Sequence, residues 1–221
     1  VGKSLFPIPG LVDLLDHEVE PRLRLATQWV AEAAGEQPVS FRAPRLFGST
    51  AVCNALESMG YVSDASYPMY HYVDRVTPYH PHQEDWTQAG QLKLIEIPNF
   101  ADLSIESKDT YGRDRDQWPV FRTESAAKLI EHIEGFIGYC REHGEPIVLC
   151  FYFHPWEFWE MPEGVIHFGE GGVFPDPFLT KGCGMYCLNQ VELLIDWLKS
   201  KEASFLTAGQ CARKWHNILA L

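Results

Sequence analysis

The chain reads as an α/β fold, and two observations carry that expectation. Short, nearly all-apolar segments of strand length, as expected when both faces of a sheet are covered, alternate with longer stretches of helical period. Gly, Ser and Thr fall where the helices should start or stop. From Pro21 to Ala34, Leu23, Ala26, Val30 and Ala33 recur at three- and four-residue steps, and Gly35 follows as a stop. Pro38-Val39-Ser40-Phe41 reads as a brief strand. Ser49 or Thr50 can cap a helix from Ala51 to Met59 that Gly60 closes, and Tyr61 to Ser63 begins another strand. Tyr67 to Gly90, rich in Tyr, His, Pro and Asp, has no period and reads as a long loop. Leu92 to Pro98 returns to strand alternation, and a polar segment runs from Asp102 to Trp118. Thr123 to His143 predicts the longest helix, with Ala127, Ile130, Ile133, Phe136, Ile137 and Cys140 on one stripe. Ile147 to Phe153, continuous and apolar, predicts the clearest strand. A Gly/Pro-rich loop from Met161 to Gly184, a helix from Cys187 to Lys199, a strand from Ala203 to Thr207 and a helix from Ala208 complete the pattern.

At 221 residues, with 46% hydrophobic and 22% charged residues, the chain is expected to pack a core as a single domain over 1–221. Lys and Arg number 18 against 30 Asp and Glu, a net charge of −12, and the basic residues are scattered, so nucleic acid is not an expected partner. No apolar run reaches transmembrane length. The opening Val1-Gly2-Lys3-Ser4 has neither an initiator Met nor the layout of a signal peptide. Six cysteines in a chain this long read as reduced buried thiols rather than a disulfide framework. Gly169-Glu170-Gly171-Gly172 lacks the Lys-Ser/Thr ending of a phosphate-cradling loop, and no Gly-x-Ser-x-Gly elbow is present, so nucleotide hydrolysis and serine-nucleophile chemistry have no support.

Four places can carry chemistry. Arg42 follows a strand and precedes Ala43-Pro44; alone it reads as a surface arginine before a turn, or as a fixed cation that holds a carboxylate ionised and oriented. His154 leaves a buried strand among Phe151, Phe153, Trp156, Phe158 and Trp159. It is either a satisfied core histidine or an imidazole tuned as a general acid beside aromatic walls that suit sugar rings. His80, His82 and Asp85 fall in one loop, which is either solvated or a rebuilt metal site. Asp13, Asp16, His17 and Glu18 make a smaller cluster after an apolar patch, or simply a helix end.

Phe41-Arg42-Ala43-Pro44, then Gly60-Tyr61 and Asp64-Ala65-Ser66, the strand Leu94 to Pro98, and the block Tyr152-Phe153-His154-Pro155-Trp156-Glu157 occur in order from about Pro21 to Phe205. Together they resemble the polysaccharide deacetylase family, the NodB-like carbohydrate esterases, in the branch that carries His-Pro-Trp-Glu. The resemblance implies a deformed (β/α) barrel, incomplete if segments are missing, and metal-dependent removal of acetyl groups from a polysaccharide or sugar-like substrate. It implies a divalent metal, zinc being expected, and an acetylated glycan as partner. It also implies that Arg42 steadies a catalytic aspartate, that His154 protonates the leaving group, and that Trp156, Pro44 and Tyr152 shape the substrate site. The family's Asp-Asp and His-x-x-x-His motifs do not occur before Phe41, which leaves His17 as the one candidate ligand. Segments are expected to be missing before Val1 and near Val19 and Glu20. The competing reading is an inactive carbohydrate-binding relative of the same fold.

Overall fold

The computed structural model describes residues 10–162, 164–167 and 171–219. Its helices are α1 (Asp16–Ala34), α2 (Thr50–Ser58), α3 (Met69–Tyr72), α4 (Val120–Thr123), α5 (Ala126–His143), α6 (Pro177–Thr180), α7 (Met185–Ser200) and α8 (Ala208–Leu219). Its strands are β1 (Ser40–Phe41), β2 (Ser63–Asp64), β3 (Ile95–Glu96), β4 (Ile166–His167) and β5 (Gly172–Val173). None of the described helices is long and apolar enough to cross a membrane.

Helix α1 begins upstream of its expected start at Pro21, because Glu18 Oε2 accepts the Leu15 N–H at 3.0 Å and so satisfies a donor that the helix start would leave orphaned. It runs unbroken through Val19 and Glu20 and ends at Gly35, whose φ of 75° is left-handed and whose N–H reaches Ala31 O. Its buried stripe is Val19, Leu23 and Thr27, while Ala26 and Val30 face solvent. The expected stripe missed this register because a polar residue occupies it: Thr27 Oγ1 and the Tyr61 hydroxyl share a buried hydrogen bond of 2.7 Å. Helix α2 packs against α1 and starts as expected, with Ser49 Oγ accepting the Val52 N–H at 3.2 Å.

Strands β1, β2 and β3 lie in that order, all parallel, with Phe41 beside Asp64 and Asp64 beside Glu96. Helix α8 packs on β2 and β3, where Ala212 joins Ala65, Ile95 and Ile97 in an apolar cluster. Strands β4 and β5 form a separate antiparallel pair inside the expected 161–184 loop. Gly169 and Glu170 of that loop lie outside the described residues.

The α/β class is present, but no barrel closes among the described residues. The reason is local. The segment 147–153, the clearest expected strand, joins no ladder, and Ile147 is 44% exposed. The segment 203–207 likewise forms no strand, and Phe205 is 56% exposed. Apolar runs of this length become strands only where a neighbour takes up their backbone groups; for the first of them, Phe100 N–H to Cys150 O at 2.9 Å is one such bond, short of a ladder. In α5 the buried side is Ala126, Leu129, Ile133, Phe136 and Cys140, one residue out of step with the expected Ala127 and Ile130.

Contacts gather the described chain into two compact units, one of residues 101–139 and 151–204, the other of residues 10–100, 140–150 and 205–219.

Candidate functional site

In the unit that holds the parallel sheet, the C-terminal ends of β2 and β3 place two acids side by side, where the loops of parallel sheets usually gather chemistry. Asp64 Oδ1 accepts the Ala65 N–H at 2.8 Å and the Ser66 hydroxyl at 2.6 Å. Glu96 Oε1 accepts the N–H groups of Ser66 at 2.8 Å and Tyr67 at 2.7 Å, whereas Glu96 Oε2, wholly buried, has no hydrogen-bond partner. Cys53, on α2, points its Sγ at Asp64 Oδ2 from 3.9 Å. Burial pushes Asp64 up to about 6, against the downward pull of the Ser66 hydroxyl, the Glu96 carboxyl, the Ala65 N–H and the Arg42 guanidinium. Burial first, and then the charge of Asp64, holds Glu96 well above the usual carboxylate range. The Cys53 thiol is driven up by burial, with the charges of Glu96 and Asp64 adding to it.

Arg42 follows β1 directly. Its Nε donates to Ala65 O at 3.0 Å and its Nη2 to Cys150 Sγ at 3.1 Å. Pro44 opens a short 3-10 turn, Pro44–Leu46, in which Arg45 and Leu46 take left-handed φ of 59° and 58°. Ala43 N–H to Ser66 Oγ, 2.8 Å, ties that turn to the Asp64 neighbourhood. The same neighbourhood needs a glycine at 48, since a Cβ there would sit 2.9 Å from Ser66 Cβ and 2.7 Å from the Trp86 ring.

The other unit holds Tyr152, His154 and Trp156. Glu157, 0% exposed, organises them: its Oε2 accepts the His154 N–H at 2.7 Å and faces His154 Nδ1 at 3.1 Å. Its Oε1 accepts Trp118 Nε1–H at 2.8 Å and Arg122 Nε–H at 3.0 Å. Three N–H groups converge on Glu157, the acceptor pattern of a carboxylate, and a His154 ring with its proton on Nδ1 would add a fourth. Arg122 is also 0% exposed; its Nη1 donates to the carbonyls of Phe178 at 3.0 Å and Lys181 at 2.6 Å. The His154 side chain remains 41% exposed. Trp156 stacks on its ring at 5.3 Å, Trp118 meets it edge-on at 5.5 Å, and Tyr152 lies perpendicular at 6.1 Å. The Tyr152 hydroxyl donates to Asp116 Oδ2 at 2.6 Å. Asp116 is nonetheless raised, because burial outweighs that bond, the Trp118 N–H and Arg113.

The sequence-derived site residues thus fall in both units: Arg42 and Pro44 in one, Tyr152, His154 and Trp156 in the other. Arg122, Trp118 and Cys53 were not singled out beforehand, and Asp64, Glu96 and Glu157 entered only inside motifs. A signal existed for two of them, an acid within an otherwise apolar strand (Glu96) and an acid three residues after a histidine (Glu157). None existed for Arg122, whose role depends on a carboxylate 35 positions away.

The divalent metal that the resemblance implies needs a donor set with one position open to water. Among the described residues, Cys53, Asp64 and Glu96 bring ligand atoms within 4.8 Å of one another and could hold a metal ion. All three are 0% exposed, however, so the set fits an enclosed ion and does not fit one that activates water for an outside substrate. His17 is exposed in the first turn of α1, outside that group. His80, His82 and Asp85 do not gather into a donor group. His80 Nδ1 faces Leu92 O at 2.6 Å, His82 Nδ1 accepts Glu84 N–H at 3.1 Å, and Asp85 Oδ1 accepts the Thr87 hydroxyl at 2.7 Å, contacts that fasten the loop.

No family model matches the chain, and no curated protein matches it. Among solved structures, it is similar to one described as a "putative polysaccharide deacetylase" from Mycobacterium smegmatis, at 21% identity and a TM-score of 0.41, over 64% of this chain and 45% of that one. The chain spans less than half the length of that protein, and a likeness of this degree fixes neither activity nor substrate.

Proposed function

We propose that the protein is a hydrolase that removes acetyl groups from a saccharide or sugar-like substrate, with His154 as the general acid. The observation that carries this reading is the buried Glu157 carboxylate, which fixes the ring of a half-exposed imidazole between two indoles. In an acetamide or acetate ester, the tetrahedral intermediate collapses only when the departing nitrogen or oxygen gains a proton. A histidine with Nδ1–H held by Glu157 presents Nε2 for that transfer, and the carboxylate stabilises the imidazolium before it gives the proton up. Trp156 and Trp118 would wall the approach of a sugar ring to that imidazole. The reading calls for a divalent cation, zinc for preference, and no donor group open to water stands among the described residues to hold it. Within its own unit Arg42 acts as a fixed cation on the Asp64 carboxyl, and Pro44 shapes the turn that follows it.

The test is His154→Ala, assayed by acetate release from an acetylated oligosaccharide. The expected loss is about 10²- to 10⁴-fold with the melting temperature little changed, since the ring is half-exposed. Unchanged release removes His154 from the reaction. A second reading, a carbohydrate-binding relative without turnover, draws on the same aromatic wall. It is favoured if the metal-loaded wild-type protein binds the oligosaccharide and releases no acetate.

A further inference from the structure

We propose that Cys53, Asp64 and Glu96 form an enclosed site for a thiophilic divalent cation of the zinc class, which braces the parallel sheet and takes no part in hydrolysis. The donors come from three separate elements: Cys53 from α2, Asp64 from the end of β2 and Glu96 from the end of β3. Their ligand atoms lie within 4.8 Å of one another, so a small inward shift of the donors brings all three to the metal–sulfur and metal–oxygen distances of about 2.0–2.3 Å. A second observation points to a missing ligand. Glu96 Oε1 is committed to the Ser66 and Tyr67 N–H groups, while Oε2 is buried and, with no proton between it and Asp64, has no partner. Native interiors rarely leave a buried acceptor in that condition.

The donor chemistry selects the ion. A thiolate with carboxylates suits zinc and its neighbours, whereas magnesium and calcium take oxygen sets. The charges balance as well: two carboxylates and a thiolate are offset by the dication together with the Arg42 guanidinium, which acts on Asp64. On binding, the Cys53 thiol proton and any carboxyl proton leave to solvent, so the ion replaces protons rather than adding charge to a dry interior. Because the group is wholly buried, the ion enters as the chain folds. The rival occupant is a proton shared between the two acids.

The inference stands apart from the deacetylase reading, and its test reads binding rather than turnover. The full chain, stripped with chelator in denaturant, is refolded against increasing cobalt(II), and each metal below is added in the same way. About one equivalent should bind, with proton release and a thiolate-to-cobalt charge-transfer band in the near ultraviolet. Cys53→Ser should abolish the band, and Glu96→Gln should weaken cobalt affinity by about 10-fold or more. Zinc should raise the melting temperature of the stripped wild type and not of Glu96→Gln. Each protein is compared with itself with and without metal, and if Cys53→Ser does not fold, the Glu96→Gln comparison decides. Failure of the wild type to bind cobalt, a bound cobalt without the band, or a Glu96→Gln variant that binds and is stabilised like wild type overturns the proposal and leaves the shared proton as the occupant.

Discussion

Glu157 is the residue on which one unit's interior depends, because it faces a buried guanidinium on one side and an imidazole on the other. Removing one partner of a buried ion pair leaves the other charge stranded, at a cost of about 3–5 kcal/mol. Arg122→Met should therefore lower the free energy of unfolding by about that amount in urea titrations, whereas a surface pair such as Lys128–Glu131 should contribute about 0–1 kcal/mol. Asp116 provides a pH-dependent companion. Its proton is held more tightly in the folded chain than at the ordinary value of 3.8, so between that value and its raised folded one the native state binds more protons than the unfolded state. Stability from this group therefore falls as pH rises through that window. Paired urea titrations from about pH 4 to about pH 7 should show wild type losing stability relative to Asp116→Asn; parallel curves would show that Asp116 does not titrate there.

At the scale of elements, helix α2 shows how far local chemistry reaches. Ser49 was one of two caps its sequence offered, and it is the one that accepts the Val52 N–H. Ser49→Ala should cost about 1 kcal/mol, read as a lower melting temperature, while Thr50→Ala should cost less at the cap. Helices were legible for this reason: their caps, stops and period lie in contiguous residues. Strands were legible only in part: the expected segments 38–41, from 61, and 92–98 hold β1, β2 and β3, but a ladder needs a partner the sequence does not name. Residues 147–153 have the composition of a buried strand and no ladder to join, whereas β2 and β3, only two residues long, pair because their neighbours align. The same limit applies to the candidate sites. His154 and Trp156 were visible as a motif, but the indole of Trp118 and the guanidinium of Arg122 reach Glu157 from 39 and 35 positions away.

For the whole molecule, charge rather than shape sets the expected partners. With a net charge of −12, the protein should not be retained on a sulfated polyanion column at about 0.1 M ionic strength, where surface fields reach about 10 Å; retention would reveal a basic face that the scattered Lys and Arg do not predict. The pairing of Asp64 with Glu96 has a further consequence, for how the gene can change. Side chains in a strand alternate between faces, so one residue inserted at Ile95 would turn the glutamate away from its partner and bring an isoleucine against the aspartate. Insertions at the exposed residues 82–85 leave that alignment intact and should be absorbed as loop length, whereas Tyr79 exchanges backbone hydrogen bonds with Glu96 and holds its part of the connection in place. In a library of single-residue insertions selected for folded protein, residues 82–85 should therefore be permissive, and the few positions flanking the two acids should be empty.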